Sequence, residues 1–99
     1  MSYTFHPAAE AELLEAIAYY ESKVSGLGEA LIMEFETLTK LLQDNPHAWQ
    51  VLLEPNIRRV PLRSFPMSVI YRIQNDSFQV LAISHDRKRP YYWLKRSNT

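Results

Sequence analysis

Basic and aromatic residues are concentrated near the C-terminus of this 99-residue chain, directly behind a stretch that predicts a β-strand. The segment at residues 85–96 holds one histidine, five basic residues and three consecutive aromatic residues: His85, Arg87, Lys88, Arg89, Tyr91, Tyr92, Trp93, Lys95 and Arg96. Guanidinium groups bind phosphates through paired hydrogen bonds, and aromatic rings stack on bases. The same residue types are enriched at protein interfaces, so composition leaves RNA contact and protein contact both open.

A β-hairpin just before this segment should bring further cations to it. Its open end is predicted to place His85 beside Pro66. Arg63 enters the same end from the preceding strand, and residues 87–89 leave it. We therefore expect these cations to converge around His85. The histidine could serve as a general acid or base, although a lone histidine at a strand end is more often a packed side chain.

Patterns for metal and nucleotide chemistry are missing from the sequence. His6, His47 and His85 are scattered without H-E-x-x-H spacing, and the chain has no cysteine. There is no glycine-rich phosphate-binding motif and no G-x-S-x-G. Glu12 and Glu15 favour a solvated helix face over an acid–base pair. We expect neither a metal nor a cofactor.

Charge is divided unevenly between the two halves of the chain. Up to Asn56 there are two lysines against nine carboxylates, a net charge of minus 7. From Ile57 onward nine basic residues face two aspartates, a net charge of plus 7. This asymmetry indicates a polyanion or an acidic partner for the second half. The alternative is internal complementarity between an acidic helical layer and a basic sheet.

The elements that must position these residues can be read from hydrophobic periodicity. Residues 3–5 predict a short strand, and Pro7 suits the first turn of a helix. Two amphipathic helices should follow, separated by a tight reversal at Gly26 and Gly28 and ending at Asp44. Their apolar stripes are Leu13, Ile17, Tyr20 and Val24, then Leu31, Phe35, Leu38 and Leu42.

In the second half the periodicity changes to that of β-strands. The three predicted strands are residues 57–62, 67–73 and 78–84. Asn75-Asp76 predicts the hairpin turn between the last two, which places Ser68 near Ile83. The predicted fold is α+β: a short N-terminal strand, an antiparallel two-helix hairpin and a three-stranded antiparallel meander, with the helices packed on one face.

Length and composition limit the setting of this fold. A chain of 99 residues has room for one core, so we expect a single domain at residues 1–99. No apolar run approaches the roughly 20 residues that span a bilayer, and the N-terminus lacks the features of a signal peptide. The absence of cysteine suits a reducing compartment, and we expect a cytoplasmic protein without membrane contact.

Five segments, taken in order, carry a family resemblance: FHPAA at residues 5–9, AYYE at 18–21, RVPLRSFP at 59–66, VIYR at 69–72 and VLAISHDRKRP at 80–90. Together with the layout of helix hairpin and sheet, they resemble RelE/ParE family toxins of bacterial type II toxin-antitoxin systems. Similar proteins are often labelled plasmid stabilisation proteins. The resemblance covers nearly the whole chain and implies the RelE/ParE-like fold.

The resemblance implies two alternative activities. RelE-like members cleave messenger RNA in the ribosomal A site, whereas ParE-like members inhibit DNA gyrase without cleaving anything. Cleavage needs a base, cations around the phosphate and an acid. Comparison with RelE-like strands places Ser68 where those enzymes carry a phosphate-binding arginine and Pro61 where they carry a lysine. Arg59 and Lys88 match other basic positions, and Tyr91 or Tyr92 approximates the tyrosine.

The two missing cations favour a ParE-like toxin, not itself an enzyme, that binds a protein target such as DNA gyrase. The alternative is a metal-independent endoribonuclease with catalytic candidates Arg59, Arg63, His85, Arg87, Lys88 and Tyr91. A second alternative is a degenerate, non-toxic interaction module. The predicted target- or antitoxin-binding residues are Arg59, Arg63, His85, Arg87, Lys88, Arg89, Tyr92, Trp93 and Arg96.

The resemblance also implies a cognate antitoxin, whose acidic segment folds as it binds the toxin. The basic second half is one predicted docking face, and the helix hairpin is the other. The partner of the ParE-like activity would be DNA gyrase, and that of the alternative would be the ribosome with its mRNA. The chain could assemble as a homodimer or as a hetero-oligomer with its antitoxin, and the sequence does not decide between the two.

Overall fold

The α+β fold expected from the sequence is confirmed in the computed structural model, which describes residues 3–98. The elements in chain order are β1 (Tyr3–Phe5), α1 (Pro7–Lys23), α2 (Leu27–Asp44), β2 (Val51–Leu53), β3 (Ile57–Pro61), β4 (Met67–Gln74), β5 (Ser77–His85) and a 3-10 helix (Leu94–Asn98). Within the described residues, neither helix is long and apolar enough to cross a membrane.

Local side-chain contacts define both ends of α1. His6 Nδ1 accepts a hydrogen bond of 3.1 Å from the Ala8 N–H, and Pro7 occupies the first turn. At the other end the Glu21 carboxylate accepts hydrogen bonds from the N–H groups of Gly26 and Gly28. These two bonds lower the pKa of Glu21. The same carboxylate therefore fixes the turn between the helices.

The helices meet closely at the start of α2. Gly26 has a φ of 90°, in the left-handed region that favours glycine. A Cβ at Gly28 would lie 2.8 Å from the Ile17 carbonyl oxygen, so only glycine fits without a shift of the backbone. The α2 stripe is buried as predicted, but Val24 is 59% exposed, and its assignment to the α1 stripe was wrong because α1 ends at Lys23.

The sheet has five strands in the order β1-β5-β4-β3-β2. The antiparallel meander of β3, β4 and β5 is confirmed, and β1 joins it as a parallel neighbour of β5. The sequence pattern did not predict β2, which pairs antiparallel with β3. With only three residues in a proline-containing stretch, β2 carries too little periodicity to predict a strand.

The hairpin register was correct near the turn and off by one residue beyond it. Arg72 pairs with Gln79 as expected, but Ser68 pairs with Ser84 instead of Ile83. A register shift next to Ile70 inserts one extra residue into β5. For the same reason His85 pairs with Met67 and not with Pro66.

Both faces of the sheet are covered. On the first face the α2 stripe packs against buried residues of the sheet such as Val69, Tyr71 and Val80. On the second face residues 91–98 cover the sheet, and Trp93 packs with Ile57, Ile70, Leu81 and Ala82. The helices therefore lie on one face, as expected, and the C-terminal segment forms a layer of its own on the other.

Candidate binding site on the second face of the sheet

A cavity of about 280 Å³ opens on the second face between the meander and residues 86–93. We call it the Arg59 cavity. Its polar lining residues are Arg59, Ser68, Ser84, His85, Asp86 and Lys88. The cavity contains several of the residues that the sequence analysis singled out, together with two serines.

Strand pairing explains why these side chains share one face. Arg59 of β3 pairs with Ile70 of β4, and Ser68 of β4 pairs with Ser84 of β5. Ser68 and Ile70 are two residues apart on β4, so their side chains lie on the same face of the sheet. Side chains at paired positions lie on the same side of a sheet. Lys88 and Tyr91 reach the cavity from the chain that follows β5. Residues as far apart in the sequence as Leu52 and Trp93 therefore meet at one opening.

His85 stands at the end of β5 with one ring nitrogen already engaged. Its Nδ1 accepts a hydrogen bond of 3.1 Å from the Arg87 N–H. A neutral imidazole with an accepting Nδ1 carries its hydrogen on Nε2. The remaining ring nitrogen is therefore a hydrogen-bond donor, which disfavours a general-base role for His85.

Ser68 is the most unusual polar residue of the cavity. It is 2% exposed, and its Oγ has no hydrogen-bond partner among the described residues. A buried hydroxyl without a partner costs about 1–3 kcal/mol. Such a group needs a specific explanation, and a missing ligand is one.

Two cations line the same cavity. Arg59 and Lys88 are both exposed, and neither forms an ion pair within residues 3–98. The Lys88 Nζ lies 5.3 Å from the centroid of the Tyr92 ring, a distance suited to a cation–π contact. Both charges are therefore available to an incoming anion.

Tyr92 and Arg96 were predicted to bind a partner, but here they contact Glu12 of α1. Arg96 forms an ion pair of 2.9 Å with the Glu12 carboxylate, and the Tyr92 hydroxyl donates to it at 2.7 Å. The Ile83 N–H donates to the same carboxylate at 3.0 Å. We call these four residues the Glu12 network. The interpretation of Glu12 as part of a solvated helix face was wrong, whereas Glu15 is exposed.

Electrostatics within the Glu12 network agree with this geometry. The hydrogen bonds that Arg96 donates to the Glu12 carboxylate raise the pKa of Arg96. Burial, followed by the hydrogen bond to Glu12, raises the pKa of Tyr92. Both side chains therefore keep their protons at neutral pH, and the network holds residues 91–98 against α1 and β5.

The other predicted residues lie outside the cavity or are buried beneath it. Trp93, one of the predicted target- or antitoxin-binding residues, is 2% exposed and packs against Ile70 and Leu81. Arg63 does not join His85: its N–H and that of Ser64 donate to Glu34 of α2, which draws this turn toward the helices. Arg87 and Arg89 are exposed and do not line the cavity.

A second opening, of about 690 Å³, lies between α1 and the end of β5. Tyr19, which is 56% exposed, and Glu15 line it from α1, and His85 and Lys88 line it from the other side. His85 and Lys88 thus separate this opening from the Arg59 cavity. Over the described residues, no group of three or more His, Asp or Glu side chains is placed to hold a metal ion.

Comparison with known proteins gives the family. The family model described as "ParE toxin of type II toxin-antitoxin system, parDE" matches residues 3–90. The chain belongs to this ParE toxin family. The RelE/ParE resemblance, and its closer relation to ParE-like members, are confirmed.

Individual relatives agree with the family match. The curated Toxin ParE2 proteins of Mycobacterium tuberculosis strains CDC 1551 / Oshkosh and ATCC 25618 / H37Rv are each 29% identical over 86 residues. The match covers 86% of this chain and 81% of each relative. The solved structure titled "Chromosomal ParDE TA system from P. aeruginosa" matches with a TM-score of 0.68 and 26% identity, over 86% of this chain and 95% of that one.

The family match ends at residue 90, just before the C-terminal segment. Residues 91–98, which carry Trp93 and half of the Glu12 network, lie beyond it. Sequence reasoning missed the role of this segment, although one signal was available. A tryptophan and two tyrosines in a row are as consistent with a buried layer as with an exposed surface.

Proposed function

We propose that this ParE-family toxin acts by binding a protein target, with DNA gyrase as the leading candidate, and that a cognate antitoxin neutralises it. The observation that carries the proposal is the hydrogen bond from the Arg87 N–H to His85 Nδ1. It leaves Nε2 as a donor, so the cavity has donors but no histidine base. An arrangement of donors suits binding better than RNA cleavage.

The two positions where RelE-like enzymes carry cations support the same proposal. Pro61 is exposed at the end of β3, and Ser68 is buried and uncharged. Loss of one preorganised donor from a phosphoryl-transfer site typically costs about 100- to 1,000-fold in rate. With two cations replaced, efficient cleavage would require other cations at the phosphate, and Arg63 lies on the helix side of the sheet.

A second candidate function, metal-independent RNA cleavage, is favoured by one observation. Arg59, His85 and Lys88 line the same cavity, with Tyr91 at its edge. In this alternative His85 would have to take up a proton on Nδ1 and give up the hydrogen bond from the Arg87 N–H before it could donate a proton to the leaving oxygen, and another group would have to act as the base. The activity would depend on the ribosome to position the RNA.

Expression in cells separates the two candidates. Gyrase binding predicts that induction of the chain activates the DNA-damage response before protein synthesis falls. RNA cleavage predicts immediate arrest of translation with truncated messenger RNA. Growth that continues normally under induction would contradict both and would favour the non-toxic interaction module.

The antitoxin part of the proposal is tested separately. Co-expression of the protein encoded beside the toxin gene should restore growth and yield a stable complex on purification. Because the second half of the chain is basic and charge complementarity steers association, we expect the segment of the antitoxin that binds it to be acidic. Restored growth without a purified complex would contradict direct neutralisation.

A further inference from the structure

We propose that the Arg59 cavity binds a glutamate side chain of a protein partner through its carboxylate. The inference rests on the proposed function, because it assigns the chemistry by which this toxin would bind a protein. It is carried by the donors around the cavity, the unpartnered Ser68 hydroxyl and the apolar surface beneath them.

Donors of hydrogen bonds surround the opening. Arg59 and Lys88 supply charge, and neither is in an ion pair within the described residues. His85 also lines the opening, and its Nε2 carries a hydrogen because its Nδ1 accepts from the Arg87 N–H. A site with this composition is complementary to an anion with several acceptor lone pairs, as a carboxylate has.

Ser68 gives the second, independent reason. Its side chain is on the cavity face, is 2% exposed and has an Oγ with no partner within residues 3–98. Buried hydroxyl groups in folded proteins are nearly always hydrogen-bonded. Because this Oγ has almost no surface accessible from the cavity, the Ser68 side chain would first rotate toward the opening. A carboxylate oxygen there would then accept a hydrogen bond from the hydroxyl and remove the cost of leaving it unpaired.

The apolar part of the lining distinguishes a protein ligand from RNA. Ile70 and Trp93, each 2% exposed, line the cavity beneath the donors and suit the methylene groups of a glutamate stem. RNA recognition would use exposed rings on which bases stack. Trp93 is buried and Tyr92 contacts Glu12, so only Tyr91, which is 46% exposed, stands at the cavity edge as an open ring.

Asp86 is the one acidic residue among those that line the cavity. Its negative charge opposes an incoming anion, and Arg59 and Lys88 in the same lining supply two positive charges against it.

The proposal can be tested by nuclear magnetic resonance titration of the full chain. The probes are the capped tripeptide acetyl-Ala-Glu-Ala-amide, its Ala-Gln-Ala counterpart, inorganic phosphate and an RNA dinucleotide. The glutamate peptide should shift the amide signals of Ser68, Ser84 and His85 to saturation and bind about tenfold more tightly than the glutamine peptide. Equal binding of the two peptides would overturn the proposal, as would tighter binding of phosphate or of the dinucleotide at these amides.

Variants test the named residues. Arg59→Gln should weaken binding of the glutamate peptide by about tenfold, and Ser68→Ala should weaken it by about fivefold. The control Lys40→Gln, which removes one charge at an exposed position of α2, should leave binding unchanged. Ser68→Ala should not lower stability, because the hydroxyl has no hydrogen bond to lose. A loss of stability in this variant, or unchanged binding, would contradict the assignment.

The outcome is independent of gyrase inhibition by the wild-type toxin. If the toxin inhibits gyrase but does not bind the glutamate peptide, only the assignment of the cavity fails. If the peptide binds and gyrase is unaffected, the proposed target fails and the carboxylate site stands.

Discussion

Glu12 of α1 joins three segments of the fold that are far apart in the sequence. Its carboxylate receives hydrogen bonds from β5 and from two side chains of the C-terminal segment, over sequence separations of 71 to 84 residues. Periodicity places Glu12 on the outside of a helix but says nothing about a segment that returns from the far end of the chain. Sequence therefore predicted the helix and not the role of this residue.

Replacement of Glu12 by glutamine should lower the free energy of unfolding by about 2–3 kcal/mol. The amide loses the charge that pairs with Arg96 and replaces one of the two acceptor oxygens by an NH2 group, so some of the partly buried donors lose their acceptor. Urea unfolding measures the change. Glu15→Gln is the matched control, and as an exposed surface substitution it should change stability by less than about 0.5 kcal/mol. Equal effects of the two substitutions would contradict the network.

Glu21 makes stability depend on acid pH. Hydrogen bonds from Gly26 and Gly28 lower its pKa in the folded chain below the value of 4.5 for the free side chain. A depressed pKa contributes stability above pH 4.5, and this contribution disappears as the pH falls through the lowered value. Glu21→Gln should therefore be less stable than the wild type at pH 7.

The difference between Glu21→Gln and the wild type should disappear in strong acid, as followed by thermal unfolding across pH 2–7. Glu29→Gln is the control, because Glu29 is an exposed acid of the first turn of α2. A Glu21→Gln deficit that persists unchanged at the lowest pH would show that the effect does not come from the charge.

At the scale of elements, prediction succeeded where a pattern is long and local. The α2 stripe and the turn at Asn75-Asp76 were read correctly, because each depends on a few neighbouring residues. The register beyond Ile70 was predicted wrongly, because a one-residue bulge leaves no periodic signal in the sequence. The strand β2 was not predicted, because three residues are too few to show a period. The C-terminal layer was misread because exposed and buried aromatic residues look alike in sequence.

Trp93 tests whether residues 91–98 are a true layer of the fold. Trp93→Ala should lower the free energy of unfolding by about 3–5 kcal/mol, because it opens a cavity against Ile70 and Leu81. Leu94→Ala, at a neighbouring side chain that is 43% exposed, should have a much smaller effect. Chemical denaturation followed by far-ultraviolet circular dichroism measures both. A small effect for Trp93→Ala would mean that the segment is only loosely attached.

At the scale of the whole molecule, the uneven charge remains the clearest signal of a partner. Within residues 3–98 a single ion pair, between Glu12 and Arg96, joins the acidic half to the basic half. Pairing between the acidic and the basic half of the chain therefore involves few of the basic residues. Arg59, Arg63 and Lys88 stay exposed, the first and last of them at one cavity. The sequence predicted the family and the sign of this surface, but the fold decided which cations meet.

The central claim is that this ParE-family toxin acts by binding gyrase and not by cleaving RNA. A supercoiling assay with purified gyrase tests it most directly, with ribosome-bound messenger RNA tested in parallel. The wild-type chain should inhibit supercoiling and leave the RNA intact, and the double variant Arg59→Gln with Lys88→Gln should need about tenfold more protein for the same inhibition. Supercoiling that proceeds normally while the ribosome-bound RNA is cleaved would contradict the claim.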